Sequence, residues 1–126
     1  KPIVVMCNEH SFSNAEILSH AIKHLGRGRL VGMRTAGGVI STGGQSLLDG
    51  SFIRMPTRGW YLAGTGEDME LNGCEPDIAF WNDPAWASAS GTDAQLVRAV
   101  EVLGEDVAAE KAKPRVKLVP AARLRR

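Results

Sequence analysis

Residues 3–33 read IVVMCNEHSFSNAEILSHAIKHLGRGRLVGM and contain the pattern of a strand, a helix and a second strand. Residues 3–7 are apolar and rich in β-branched side chains, which is typical of a strand covered on both faces in a parallel sheet. From residue 13 to residue 25, apolar residues recur every three or four positions, which predicts an amphipathic helix closed by Gly26. Residues 30–33 predict the second strand. A right-handed crossover of this kind indicates an α/β fold.

The sequence downstream of this crossover predicts a hairpin, a long loop and a final helix. Residues 51–56 and 59–62 are interpreted as the two strands of the hairpin, around a turn that contains Pro, Arg and Gly. Residues 63–76 predict a loop longer than most connections in compact domains, and loops of that length are usually functional or disordered. Helical periodicity returns at residues 93–107, where Thr92 or Asp93 can cap the helix.

Composition excludes several classes of function. With 15 basic and 14 acidic residues in 126, the chain has no net field that would favour nucleic acid or a charged membrane surface. No run of about 18 apolar residues is present that could span a bilayer. The two cysteines, Cys7 and Cys74, lack CxxC spacing and are interpreted as free apolar residues in a reducing compartment.

The two ends of the chain carry further predictions. The sequence starts without an initiator Met and runs directly into a buried strand, so we expect it to begin inside a longer protein. We expect one compact unit through residue 110. Residues 111–126 hold two prolines, seven basic residues and no acid, which favours an extended or disordered tail. An arm that lies across a neighbouring subunit or an acidic surface is the alternative.

The polar turn at residues 8–16, NEHSFSNAE, carries the most specific candidate chemistry. It places Ser13 at the start of the predicted helix, where unpaired backbone N–H groups and the helix dipole stabilise an anion. The Ser13 hydroxyl could attack a carbonyl carbon, with the backbone N–H of Asn14 directed at the developing oxyanion. The same residues also form a capping box, in which Ser13 and Glu16 satisfy free donors of the helix. Ser11 is the rival nucleophile.

The histidines and the glycine-rich segment give weaker signals. His10 lies three residues before Ser13 and is interpreted as a turn residue. His20 and His24 have a spacing that can hold a metal, but without an acidic or thiol partner they are interpreted as the polar face of the helix. Residues 35–44 lack the Gly-Lys-Ser/Thr ending of a phosphate-binding loop. No metal, nucleotide or other cofactor is therefore predicted.

Five short motifs occur in order along residues 2–103. They are residues 8–16 (NEHSFSNAE), 32–44 (GMRTAGGVISTGG), 48–51 (LDGS), 58–61 (RGWY) and 72–77 (NGCEPD). Together they resemble the C-terminal catalytic region of the tricorn protease family, which belongs with the carboxy-terminal processing serine peptidases. Because the resemblance covers most of the chain, it is more specific than any single short motif.

The resemblance implies a partial Clp protease/crotonase-like fold and Ser-His-Glu catalysis assisted by an additional serine. Ser13 matches the nucleophile, and Asn14 matches the residue whose backbone N–H helps to form the oxyanion hole. Glu70 matches the carboxylate that orients the histidine. A shift of one or two residues in that loop would nominate Glu67 or Asp68 instead.

The resemblance also bears on the base and on substrate binding. The simpler processing peptidases carry a lysine base in the stretch that here reads TAGG at residues 35–38, and the missing lysine favours the tricorn branch, in which histidine is the base. That histidine and the additional serine would precede Lys1. In this interpretation, Gly37 and Gly38 bind substrate, because glycines allow a substrate strand to approach the backbone closely.

The predicted function is that of a cytoplasmic, metal-free serine endopeptidase of the tricorn type, which forms an acyl-enzyme on Ser13 with peptide substrates. Residues 1–110 would be the C-terminal part of its catalytic domain, inactive without the missing histidine. The resemblance further implies a homo-oligomer, specifically a hexamer. Two alternatives stay open: a non-catalytic peptide-binding or assembly module of the same fold, and a crotonase-like acyl-CoA enzyme.

Overall fold

The computed structural model describes residues 1–115 and 117–119, except for the side chains of Ala87 and Ser90. In chain order, the elements are β1 (Val4–Cys7), α1 (Asn14–His24), β2 (Arg29–Gly32), β3 (Ser41–Ser46), β4 (Phe52–Arg58), β5 (Ile78–Ala79), α2 (Pro84–Ser90) and α3 (Ala94–Ala112). The predicted α/β architecture is confirmed, with the strand–helix–strand crossover at its centre.

The crossover builds a parallel sheet with helices on both faces. β2 is the central strand, and it pairs in parallel with β1 on one side and β5 on the other. Leu30 and Val31 are both fully buried, but they lie in two different cores because successive side chains of a strand point to opposite faces. Ile22 of α1 packs in the Leu30 core, and Val102 of α3 packs in the Val31 core.

Both cysteines lie in the core that contains Leu30, and both are free thiols. Burial raises the pKa of the Cys74 thiol to about 11. Burial also raises the pKa of the Cys7 thiol. Because the thiolate is the reactive form, both side chains behave as small apolar residues at neutral pH, as the sequence indicated.

The hairpin differs from the prediction in its pairing. β4 pairs antiparallel with β3, with Ser46 opposite Phe52, so the predicted pairing of residues 51–56 with residues 59–62 is wrong. Glycine is depleted in strands, and the glycine-rich sequence of β3 therefore gave no strand signal. The Phe52 ring lies against Gly44, in space that a Cβ at this position would occupy.

The C-terminal helix is longer than predicted. It begins after Asp93, whose carboxylate accepts the backbone N–H of Leu96 at 3.0 Å and so caps the helix. It ends at Ala112, inside the segment 111–126 that was expected to be an extended tail. Of that tail, residues 113–115 and 117–119 are exposed and outside any helix or strand, and the remainder lies outside the described residues. In the described ranges, no helix combines the length and the apolar character needed to cross a membrane.

Candidate active site

A strained backbone marks Ser13, which precedes the first residue of α1. Its φ of 58° and ψ of −121° lie in a region that favours glycine, and Leu71 is the only other described non-glycine residue with a positive φ. Such a conformation costs about 1–3 kcal/mol and is found mostly at functional sites, where the surrounding structure enforces it. Here two acceptors hold the Ser13 N–H: the Gly38 carbonyl oxygen at 3.0 Å and Glu16 Oε1 at 3.1 Å.

The Ser13 hydroxyl is only weakly engaged in capping the helix. Ser13 and Glu16 form the outline of a capping box, with the hydroxyl near the Glu16 N–H and the Glu16 carboxylate accepting the Ser13 N–H. The Glu16 N–H also donates to the Ser13 carbonyl oxygen at 2.9 Å, and the hydroxyl makes no cap hydrogen bond within ordinary geometric limits. The Ser13 Oγ therefore stays available to react.

The backbone N–H of Asn14 has no hydrogen-bond acceptor in the described part of the chain, although its neighbours do. The Ser13 N–H binds Gly38, and the Ala15 N–H donates to the Phe12 carbonyl oxygen at 3.2 Å. Asn14 is exposed and lies in the first turn of α1, at the positive end of the helix dipole. A free donor beside a serine is suited to stabilise an oxyanion formed when that serine attacks a carbonyl.

The Glu16 carboxylate is completely buried and accepts four hydrogen bonds. Oε2 accepts the Thr35 hydroxyl at 2.5 Å and the Gly37 N–H at 2.7 Å. Oε1 accepts the Gly38 N–H at 2.8 Å and the Ser13 N–H at 3.1 Å. Burial alone would raise the pKa of Glu16, but the Thr35 hydroxyl and the three N–H groups together hold it below its usual value. Glu16 therefore remains ionised and joins the start of α1 to residues 35–38.

The Glu70 carboxylate binds residues 39–40, which directly follow the residues that Glu16 binds. Its Oε2 accepts the backbone N–H groups of Val39 at 2.6 Å and Ile40 at 2.8 Å. Its Oε1 has no partner among the described residues, so this oxygen can still accept a donor. Because the Gly38 carbonyl oxygen accepts the Ser13 N–H, Ser13 and Glu70 bind adjacent residues of one segment.

The two alternative carboxylates are placed differently. Oδ1 of Asp68 accepts the backbone N–H of Glu70 at 3.0 Å and so shapes the loop. Glu67 is exposed and lines a cavity of about 450 Å³ that includes neither Ser13 nor Glu70. Of the three carboxylates, Glu70 is the one that binds residues 39–40.

The backbone of Gly37 and Gly38 is fully used within the chain. Both N–H groups donate to Glu16, the Gly37 carbonyl oxygen accepts the Leu71 N–H at 2.8 Å, and the Gly38 carbonyl oxygen accepts the Ser13 N–H. A Cβ at Gly37 would lie 3.0 Å from the Leu71 carbonyl carbon, whereas a Cβ at Gly38 would meet no atom within 4 Å. The N–H groups of both glycines are therefore unavailable to a substrate strand, and the space beside Gly38 is open.

The rival nucleophile and the histidines have other partners. The Ser11 hydroxyl accepts the Asn8 N–H at 3.1 Å and donates to Asn8 Oδ1 at 3.3 Å, within the local turn. His10 is exposed, and Nε2 of His20 lies 3.1 Å from the Gly73 carbonyl oxygen. Within residues 1–115 and 117–119, no histidine binds Ser13 and no group of three potential metal ligands occurs.

Sequence reasoning missed the network around Glu16. It recognised Glu16 as the third residue of a capping box and gave Thr35 no role. The position of Glu16 one turn into an amphipathic helix carries no sign that its carboxylate is buried. The pairing of a buried acid with the glycines at residues 37–38 becomes visible only when α1 and the following loop are packed together.

Comparison with known proteins places these features in a family context. A model of peptidase family S41 matches residues 1–80. Tricorn protease homolog 1 of Streptomyces coelicolor is 40% identical over 100 residues, which are 79% of this chain and 9% of that protein.

Two solved structures are similar to this one. The crystal structure of the tricorn protease matches with a TM-score of 0.77 and 32% identity, covering 83% of this chain and 10% of that chain. The photosystem II D1 C-terminal processing protease matches with a TM-score of 0.54 and 31% identity, covering 64% of this chain and 20% of that chain. The chain thus spans only about a tenth of the length of its tricorn-type relatives.

Proposed function

This chain belongs to peptidase family S41, a family of serine-type peptidases, and we propose that it carries the nucleophile, Ser13, of a tricorn-type serine endopeptidase. The observation that supports the proposal most directly is the strained Ser13 backbone beside the free N–H of Asn14. Residues 1–110 then form the C-terminal part of a catalytic domain of the Clp protease/crotonase-like fold. The histidine base and the additional serine lie outside this chain.

In the proposed reaction, Ser13 Oγ attacks the carbonyl carbon of a peptide bond while its proton passes to the histidine. The negative charge on the carbonyl oxygen develops within reach of the Asn14 N–H. Collapse of this intermediate breaks the C–N bond, the amine leaves with the proton from the histidine, and the acyl group stays on Oγ as an ester. Water, which gives a proton to the same histidine, then hydrolyses the ester and restores Ser13.

Glu70 is proposed to orient the histidine. Its Oε2 is fixed by two backbone N–H groups, so its free Oε1 has a defined direction in which to accept a histidine N–H. A carboxylate in this role selects the tautomer of the histidine and stabilises the imidazolium that forms during attack. The shared attachment of Ser13 and Glu70 to residues 38–40 would hold the nucleophile and the orienting acid at a constant separation.

The substrates are proposed to be peptides, and the active form a cytoplasmic homo-oligomer, a hexamer by resemblance to the tricorn family. A substrate would approach at Gly38, where the absence of a side chain leaves open space. Apolar side chains of the hairpin support burial of its surface in a larger assembly, since isolated domains rarely expose such clusters. The exposed residues are Leu47, Leu48, Phe52, Ile53 and Met55.

The proposal is tested on the protein that contains this chain together with its histidine-bearing segment. A fluorophosphonate reacts with an activated serine, and mass spectrometry is expected to find one adduct, on Ser13. Ser13→Ala should abolish the adduct and lower kcat by about 10⁴–10⁶, as loss of a triad serine does. Ser11→Ala is the matched control and should be labelled as the unchanged protein is. An adduct on Ser11, or none on the folded protein, would overturn the assignment.

A non-catalytic assembly or peptide-binding module is the second candidate, and the exposed hairpin is the observation that favours it. This alternative expects a folded oligomer whose Ser13 does not react with the fluorophosphonate. The module alternative does not explain the strained backbone of Ser13, because a helix cap can be made with ordinary φ and ψ values.

A further inference from the structure

Two carboxylates take up four consecutive backbone N–H groups at residues 37–40. Glu16 accepts the first two at 2.7 and 2.8 Å, and Glu70 accepts the last two at 2.6 and 2.8 Å. Backbone N–H groups in a row are normally satisfied by carbonyl oxygens of a neighbouring strand. Here the segment is held instead by two charges that come from α1 and from the loop after β4.

The Thr35 hydroxyl connects Glu16 to the loop that contains Glu70. It donates to Glu16 Oε2 at 2.5 Å and accepts the backbone N–H of Cys74 at 2.7 Å. Thr35 is itself buried. Cys74 lies four residues beyond Glu70 in the same loop, so a continuous set of hydrogen bonds runs from Ser13 through Glu16 and Thr35 to the loop of Glu70.

We propose that Glu16 is a positioning residue that, together with Thr35, holds the Ser13 turn and the Glu70 loop in one fixed arrangement around residues 37–40. This inference rests on the proposed function, because it gives Glu16 a part in the acylation of Ser13. A helix cap needs only the bond to the Ser13 N–H. The other three bonds reach residues 19 to 22 positions further along the chain, where they can do nothing for the end of the helix.

The position requires a carboxylate and not merely a polar side chain of the same shape. Each oxygen of Glu16 accepts two donors. A glutamine would turn one oxygen into an NH₂ group and set it against the N–H of Gly37 or Gly38, neither of which has another acceptor in the described part of the chain. An unpaired buried donor is costly, so the loop would move to relieve it, and a shift of about 1 Å at a reacting group can lower a rate by about 100-fold.

The test compares four variants of the protein that contains this chain and its histidine. Glu16→Gln should lower the rate constant of fluorophosphonate labelling at Ser13 by about 100-fold. Thr35→Val keeps the shape of the side chain but removes both hydrogen bonds of the hydroxyl, the one to Glu16 and the one from the Cys74 N–H, and should lower the rate constant by about tenfold. Thr35→Ser keeps the hydroxyl and should react within about twofold of the unchanged protein. Glu101→Gln, an exposed Glu-to-Gln change on α3, is the charge control.

Peptide turnover separates positioning from substrate binding. Both damaging variants should lower kcat and leave KM within about twofold, because the side chains of Glu16 and Thr35 are buried and do not touch a substrate at the open face of Gly38. Thermal unfolding is measured alongside, so that rates are compared only for folded protein. Should Glu16→Gln fail to fold, the Thr35→Val and Thr35→Ser pair decides alone.

The outcomes distinguish the inference from the function on which it rests. Folded Thr35→Val that is labelled as fast as Thr35→Ser would overturn the positioning role, whatever its effect on stability. An unchanged protein with no adduct on Ser13 would overturn the proposed function itself, and with it this inference. Labelling confined to Ser13, slow in Thr35→Val and restored in Thr35→Ser, supports both.

Discussion

Residues 35–40 and the hairpin of β3 and β4 follow each other directly along the chain, and both begin with glycine-rich sequence. In the first region, the backbone is bound by Glu16 and Glu70, which lie far away in the sequence. In the hairpin, the strands bind each other, and almost every residue is exposed. Composition alone therefore does not decide how strongly a glycine-rich segment is constrained. What decides it is whether its partners are local or distant.

The largest expected effect is at Glu70, one of the two distant acids that bind residues 35–40. Glu70→Ala removes the acceptor of two backbone N–H groups and the proposed partner of the histidine, and should lower kcat by about 10⁴. Steady-state peptide cleavage by the protein that includes the histidine measures the loss. Glu67→Ala is the matched control, and it should keep near-normal kcat. A large loss in Glu67→Ala with a normal Glu70→Ala would transfer the role to Glu67.

Two glycines with nearly the same φ, one in each region, allow a direct test of this contrast. Gly37 has φ +79° and Gly50, in the hairpin turn, has φ +82°. Alanine at either position should cost about 1–2 kcal/mol for the left-handed conformation. Only Gly37→Ala places its Cβ against other backbone, 3.0 Å from Leu71, which should add about 1–3 kcal/mol. Urea unfolding of the two variants measures the difference, and equal losses would mean that the Leu71 contact is easily relieved.

Low pH should weaken the contribution of Glu16, which binds residues 35–40, to the free energy of unfolding more than that of any acid in the hairpin. The pKa of Glu16 is held below its ordinary value of 4.5, so its ionised form contributes stability that is complete above about pH 4.5 and is lost as the pH falls through the lower folded-state pKa. Glutamine does not titrate. The difference in unfolding free energy between the unchanged protein and Glu16→Gln should therefore be constant at neutral pH and narrow below about pH 4.5.

The hairpin offers a control for this pH dependence. The hydroxyl and N–H of Ser51 lower the pKa of Asp49, but this side chain is exposed in the turn. For Asp49→Asn, the difference in unfolding free energy from the unchanged protein should change much less with pH than it does for Glu16→Gln, because water screens an exposed charge. Urea unfolding at a series of pH values checks both variants, and similar curves would contradict the contrast drawn between buried and exposed acids.

The smallest expected effect is in the hairpin itself. Thr42 accepts hydrogen bonds from the Arg54 guanidinium, the shorter at 2.7 Å, on an exposed surface. Thr42→Ala should cost less than about 0.5 kcal/mol of stability and leave labelling of Ser13 unchanged. A clear loss of labelling would show that the hairpin is coupled to the site and that the two regions are less separate than their contacts indicate.

Much of the fold followed from the sequence, and the reasons are visible in particular residues. The periodicity from residue 13 to residue 25 predicted α1, and Asp93 was one of two predicted caps of α3. β5 was missed because a strand of two residues has no periodicity to detect. β3 was missed because its two glycines oppose strand propensity, although one of them, Gly44, makes room for the Phe52 ring.

The central crossover and the place of Ser13 at the start of α1 follow from the sequence. Both depend on residues that are neighbours along the chain, and local sequence patterns reveal such relations. Burial of Glu16, and the binding of Ser13 and Glu70 to one segment, are visible only in the packed fold. The bonds responsible join residues 21 and 31 positions apart. They form because packing of α1 on the sheet excludes water, after which each buried donor and acceptor must find its partner within the protein.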